Sequence, residues 1–249
     1  MAVIGGGNVA IDAARTALRL GAKEVSIVYR RSRQEMPANT EEIIEAEFEG
    51  VKIIYLAAPT RLLGDNGKVE SMECVRMELG EYDASGRRRP ISVKGSEFLM
   101  DVDAVIAAIG QAPDLSFLPP DSGLEATKGE TFVVDPVTLA TSRLGIFAGG
   151  DVVTGPATVI EAIAAGERAA VSIHKYLRGE SMTEDRIRQP GKRVEIPRAV
   201  ETPEEKGRVR MPTLALKRRL GGFEEVNQGY STQMAIEEAK RCLRCDLER

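Results

Sequence analysis

Short apolar runs, each ended by glycine or by charge, set the rhythm of the first half of the chain. Ala2 to Ile4 is one such run and stops at Gly5, which predicts a short buried strand. Asn8 to Leu20 predicts a helix, with Gly21 as its natural stop. Val25 to Tyr29 alternates little and predicts a strand buried on both faces. Thr40 to Glu49 is an acidic amphipathic helix with Thr40 as its cap, and Val51 to Leu56 is a third strand. From Arg61 onward the pattern changes. A turn at Asp65-Asn66-Gly67 joins Arg61–Gly64 to Val69–Leu79 as a β-hairpin. Asp83 to Arg89 is a polar turn, Ile91 to Leu99 a further strand, and Ala104 to Ile109 a buried strand ending at Gly110. βαβ units with an antiparallel insertion predict an α/β domain on a parallel sheet over residues 1–110.

Residues 111–180 read as a second unit. Phe132 to Asp135 and Ile146 to Ala148 are strand-like, and Val159 to Leu177 is a long alanine-rich helix. After Gly179 the composition turns polar and prolines recur between Pro190 and Pro212, so residues 180–225 are expected to be extended and poorly packed. A last helix, Thr232 to Arg244, ends the third region, 181–249.

Composition narrows the function classes. The 249 residues are 43% hydrophobic, enough to bury a core, and the formal charge is −4, which argues against a nucleic-acid partner. No apolar run approaches the ~20 residues of a membrane span. Met1 leads straight into a strand and a glycine loop, with no signal peptide, so the expected location is cytoplasmic. The three cysteines make no disulfide framework, which agrees with a reducing compartment. Cys74 falls in a strand-like stretch and is expected to be an inert buried thiol. His174 lies in a helix without an obvious partner and is read as structural.

The chemistry begins at Gly5-x-Gly7-x-x-Ala10, which follows a strand and opens a helix. Gly5 permits the tight turn, Gly7 lets the backbone approach a pyrophosphate, and Ala10 allows close helix–strand packing. The helix N-terminus at Asn8 and Val9 then offers N–H groups and a positive dipole end to phosphate. A dinucleotide site of Rossmann type follows. An NAD site would place an acidic residue at the end of the second strand, for the ribose 2′-hydroxyl. Here Arg30 and Arg31 stand at that place, and guanidinium forks suit the 2′-phosphate of NADPH. A second signal is Gly150-Asp151 with Ala157, Thr158 and Val159. The Asp151 carboxylate can accept bonds from a ribityl hydroxyl, and the following helix N-terminus can face a flavin carbonyl oxygen. That signal by itself is also compatible with an ordinary strand-to-helix turn.

Taken together, GGGNVAIDAAR, VYRRSRQEMPA, the SGRRRP turn followed by GSE, VIAAIGQAPD and GIFAGGDVVTGPATVIEAIAAGERAA resemble the glutamate synthase small subunit and its NADPH/FAD relatives in the pyridine nucleotide-disulfide oxidoreductase superfamily. The matching stretches run in order over residues 2 to 178. The resemblance implies a Rossmann-type NADP(H) domain, followed by the C-terminal piece of a FAD-binding domain in 111–180. It implies that Arg30 and Arg31 hold the 2′-phosphate and that Gly110 and Gln111 pass near the nicotinamide. It implies too that Gly150, Asp151, Ala157, Thr158 and Val159 meet FAD. Hydride would move directly between the cofactors, with electrons going on to iron–sulfur centres, so no side chain is a catalytic residue.

The first half of the family's FAD domain and its N-terminal cysteine region are absent, so the FAD site is incomplete. A partner chain or a missing segment is expected to supply both. The tail resembles those of flavoprotein subunits in larger iron–sulfur complexes. Cys242 and Cys245 are two thiolate ligands at most, half of an iron–sulfur cluster shared with a partner, or else a pair of free thiols. The other functional readings are a fragment that binds NADP(H) without flavin or turnover, and a docking subunit of an electron-transfer complex.

Overall fold

Three apolar residues suffice for a strand when both neighbouring strands and both sheet faces cover them. In the computed structural model β1 (Ala2–Ile4) pairs in parallel with β2 (Ser26–Tyr29) on one edge and with β8 (Val105–Ala107) on the other; β3 (Lys52–Tyr55) completes the order β3-β2-β1-β8. Residues 1–83, 86–119, 121–183 and 207–241 are described. They fall into two compact units, Met1–Ile109 with Ala199–Arg249, and Gly110–Arg198.

Alternation along each strand decides which face is served. Val3, Ile27 and Tyr29 point to the side of α1 (Asn8–Arg19) and α2 (Thr40–Phe48), where they meet Ala10, Ile11, Ala14 and Ile43. Ala2 and Val28 point the other way, onto Ala57, Met72, Cys74 and Val102 of the antiparallel insertion. Both faces of the parallel sheet are therefore buried, as its unbroken apolar runs require. Cys74 is fully buried with its sulfur 3.9 Å from that of Met100, and burial pushes its thiol up, away from the reactive thiolate.

The insertion is built on one long strand. β4 (Ala57–Asp65) and β5 (Lys68–Tyr82) form the hairpin expected around Asn66-Gly67. The single strand expected over Ile91–Leu99 is instead two, β6 (Arg88–Ser92) on the far half of β5 and β7 (Phe98–Asp101) on its near half. The break has a cause: Gly95 turns with φ +74°, and the Ser96 hydroxyl accepts from the Arg76 amide and donates to the Val93 carbonyl. At α2 the N-cap is Asn39 and Thr40 is the first helical residue, so the cap lies one place earlier than expected.

In the second unit the expected strands Phe132–Asp135 and Ile146–Ala148 are isolated bridges, Ala126 to Phe132, Val134 to Thr141 and Ala140 to Phe147. A turn joins the two sides of each bridge; between Val134 and Thr141 the Asp135 carboxylate accepts from the Val137 and Thr138 amides at 3.1 and 2.7 Å. α3 (Asp151–Thr154) and α4 (Val159–Leu177) follow. Phe147 stands edge-on to Tyr176, with ring centroids 5.8 Å apart, and His174 is exposed on α4.

The described part of the tail, expected to be extended and poorly packed over 180–225, is mostly exposed but carries two buried side chains. Leu214 and Arg219 are buried, on and just before α5 (Leu216–Leu220). Arg219 donates to Glu45 and lies 3.7 Å from Glu49, whose side chain is fully buried. Glu49 also takes two bonds from Arg15, at 3.0 and 2.8 Å, and two from Arg19, both at 2.9 Å. A carboxylate just past the C-terminus of α2 opposes that helix's dipole, and the surrounding guanidiniums offset it. The sequence pattern concealed this because a composition rich in charge describes a charged core as well as a solvated tail. α6 (Thr232–Lys240) matches the described part of the helix expected to Arg244; residues 242–249, with Cys242 and Cys245, lie outside the described residues. No helix among the described residues is long and apolar enough to cross a membrane.

Burial pushes the Glu49 carboxyl up, but Arg15 and Arg19 outweigh it and hold the group below its ordinary value. A depressed folded value stabilises above the unfolded carboxylate value, about 4.3, and the gain is lost as pH falls through the folded value. Glu49→Gln should lower the unfolding free energy by about 3–5 kcal/mol. It should also flatten the loss of stability on acidification below about pH 4. Urea titrations across that range check both, and an unchanged midpoint at neutral pH would show the cluster to be energetically neutral.

Candidate functional site

The glycine loop is shaped from beneath by backbone and ring. Gly5 has φ +143°, and a Cβ there would come 2.2 Å from the Ala108 carbonyl oxygen, just past β8. A Cβ on Gly6 would come 2.4 Å from the Tyr29 ring, whose hydroxyl donates to the Glu35 carbonyl at 2.7 Å. Gly7 differs from both. Its φ of −88° is open to any residue, and a Cβ would meet nothing within 4 Å. The protein excludes side chains at the first two glycines, whereas at Gly7 only something outside the chain would.

Gly7 is the N-cap of α1 and supplies no side-chain cap, and the first turn carries no acidic residue. The Ala10 and Ile11 amides turn back to the Gly7 carbonyl. Those of Asn8 and Val9 have no acceptor among the described residues, and both residues are exposed. The Asn8 side chain is engaged sideways, accepting from the Asn39 amide at 2.9 Å. Ala10 is fully buried in the core beside Val3. This helix terminus, with about half a positive charge and two unbonded donors, fits a phosphate anion.

At the end of β2 the two arginines part company. Arg30 is exposed and makes no ion pair with a described residue. Arg31 is buried, its Nη2 2.6 Å from Asp83 and its Nε donating to the Arg88 carbonyl at 2.7 Å. Arg33, two residues on, is paired with Glu47 at 2.6 Å. The contacts of Gly6 with Tyr29 and of Arg31 with Asp83 were beyond sequence reasoning, since neither pair stands in a spacing that marks it.

In the second unit, Gly110 and Gln111 open the segment after β8, and both are exposed, Gly110 with φ +98°. Gly150, φ +72°, is the N-cap of α3. Asp151 is exposed and accepts from the Ala157 amide at 3.3 Å, so it braces the loop that leads into α4. Thr158 and Glu161 form a reciprocal capping box at the start of α4, and the bond from the Thr158 amide holds the Glu161 carboxyl below its usual range. Val159 is 79% exposed. Among the described residues no group of three or more His, Cys, Asp or Glu side chains is placed to hold a metal ion.

A parallel sheet whose central strand runs through a glycine turn into an uncapped helix defines a Rossmann-type dinucleotide-binding unit. The sequence profile of the pyridine nucleotide-disulphide oxidoreductases matches residues 1–166, and the chain belongs to that family. It is 50% identical over 255 residues to the NADP(+)-dependent formate dehydrogenase subunit beta of Moorella thermoacetica, a match covering 98% of this chain and 35% of that protein. It is 42% identical over 180 residues to the small chain of NADPH glutamate synthase from Azospirillum brasilense, covering 72% of this chain and 37% of that one. The resemblance to the glutamate synthase small subunit is thus borne out. The chain spans about a third of the length of these relatives. Among solved structures, T. acidophilum thioredoxin reductase aligns with TM-score 0.57 at 27% identity over 72% of this chain and 52% of that one.

The glycines give separable outcomes. Gly5→Ala should destabilise the whole unit by roughly 1–3 kcal/mol or more, through strain and the clash with Ala108. Gly7→Ala should leave thermal unfolding unchanged while weakening nucleotide binding, because its Cβ enters only the open space before α1. Melting curves with and without nucleotide check both; equal destabilisation by the two substitutions would remove the distinction.

Proposed function

We propose that the chain is the NADP(H)-binding domain, residues 1–110, and the C-terminal piece of the FAD-binding domain, 111–180, of an NADPH-dependent flavoprotein oxidoreductase that passes electrons to iron–sulfur centres. The observation that carries this reading is the open cradle at Gly7, Asn8 and Val9 together with the exposed Arg30 at the end of β2. In this reading Gly5, Gly7, Asn8, Val9 and Ala10 form the pyrophosphate site, and Arg30 and Arg31 provide the selectivity for the 2′-phosphate. Gly110 and Gln111 border the nicotinamide. Gly150, Asp151, Ala157, Thr158 and Val159 border FAD, with the helix termini of α3 and α4 favouring negative charge. When bound, the two cofactors supply the redox chemistry, a hydride transfer between nicotinamide and flavin. The chain's own residues bind and orient, and none is required as a general acid or base.

The names of the relatives support the reading, since one is an NADP(+)-dependent formate dehydrogenase subunit and another the small chain of an NADPH glutamate synthase. α4 supports an incomplete FAD domain: Val159, Ile160 and Ile163 are 79%, 69% and 52% exposed, although the helix is apolar. The missing first half of that domain, on this chain's continuation or on a partner, is the proposed cover. The tail is covered by the match to the formate dehydrogenase subunit, which takes in 98% of the chain. Cys242 and Cys245 are proposed as half of an iron–sulfur site completed by that partner, and the setting is cytoplasmic.

Arg30→Ala with Arg31→Ala should weaken NADPH by about 1.5–3 kcal/mol and leave NADH nearly unchanged. Calorimetric titration of both nucleotides checks this, and equal affinity of the wild type for the two would overturn the NADP(H) reading. The chain expressed by itself should purify without stoichiometric FAD and gain it on co-expression with the missing half. A flavin spectrum at one FAD per isolated chain would refute the split site.

A further inference from the structure

Arg31 is buried just past the end of β2, with its guanidinium engaged inside the fold. Its side chain is 6% exposed, and two corners of its guanidinium are engaged, Nη2 by Asp83 at 2.6 Å and Nε by the Arg88 carbonyl at 2.7 Å. Both partners flank the turn between β5 and β6, where the Asp83 amide donates to the Arg87 carbonyl at 2.8 Å. The Arg31 main chain is tied to the same insertion. Its carbonyl accepts from Leu56 at 3.1 Å, and the Leu56 carbonyl accepts from Met77 of β5 at 2.9 Å. The end of β2 is thus held to the insertion by backbone on one side and by a charged fork on the other. The neighbouring Arg30 rides on that same backbone with its own side chain exposed.

We propose that Arg31 is a positioning residue for NADP(H) selectivity: clamped by Asp83 and the Arg88 carbonyl, it fixes the chain that carries Arg30 and sets the basic turn Arg87–Arg89 beside the 2′-phosphate end of the site. The inference rests on the NADP(H) reading and refines it. A guanidinium suits this role better than an ammonium, because a rigid planar fork can bond a carboxylate and a carbonyl at a fixed angle. Asp83 is then a necessary part of an anion-selective site despite its charge. If Arg31 were instead a direct phosphate ligand, Asp83 would be its competitor.

The two roles give opposite signs. The probes are adenosine 2′,5′-bisphosphate and 5′-AMP, titrated calorimetrically against the full chain. Asp83→Asn, nearly isosteric and at a side chain 24% exposed, should weaken the bisphosphate about tenfold and leave 5′-AMP unchanged. Arg31→Lys should do the same, because it keeps the charge but loses the fork. Arg30→Met should abolish the preference for the bisphosphate. Tighter or unchanged bisphosphate binding by Asp83→Asn overturns the proposal. So does equal weakening of both probes, which would reduce Arg31 to support of the fold. A wild type that does not distinguish the probes would overturn the NADP(H) reading itself, a result separate from either. Melting temperatures of each variant show whether a loss reflects unfolding.

Discussion

The close approach of the loop after β1 to its neighbours is the constraint on which the site depends. At Gly5 the backbone runs so near the Ala108 carbonyl that no side chain fits, and at Gly6 it lies on the Tyr29 ring. These two contacts set where α1 starts. Because Gly7 then caps α1 without a side chain, the Asn8 and Val9 amides are left to an external acceptor. A residue with a Cβ at either of the first two positions would push the loop away from β8 and re-aim the helix. The open helix terminus is therefore a consequence of sheet packing, and its backbone donors are held in place without side-chain entropy to lose.

The same helix is anchored at its other end by charge. Arg15 and Arg19 reach Glu49 at the end of α2, and Arg219 of the tail joins them. A buried carboxylate among guanidiniums is not a strong net source of stability compared with an apolar cluster, because desolvation offsets much of the attraction. Arg219 brings the tail to the same cluster through Glu45 and Glu49, so the buried charge ties the tail to α2. The Phe48 ring, 5.7 Å from the Arg219 guanidinium, adds a cation–π face to that contact.

The second unit is organised differently. It has single bridges in place of a ladder and a capped helix whose apolar side chains at Val159, Ile160 and Ile163 face solvent. Local structure is well formed at the Asp135 turn and the Thr158 cap, yet apolar surface remains uncovered. Exposed apolar side chains on a well-capped helix are what the proposed half-domain would present to its cover.

Much of this was legible in the residues. The strand–glycine–helix order, the hairpin at Asn66-Gly67 and the long helix from Val159 follow from local patterns of polarity and turn chemistry, which a chain carries whatever its tertiary fold. The candidate site was legible as far as Gly5, Gly7 and Ala10 mark a loop, and as far as Arg30 and Arg31 mark a charge. Sequence could not tell Arg30 from Arg31, since two adjacent arginines are equivalent until a distant Asp83 claims one of them. Nor could it tell a solvated tail from one that buries Arg219, since the partner carboxylates lie 174 and 170 positions earlier, at Glu45 and Glu49. Periodicity is a property of neighbours in the chain, whereas pairing of buried charge is a property of neighbours in space, and only the fold supplies those.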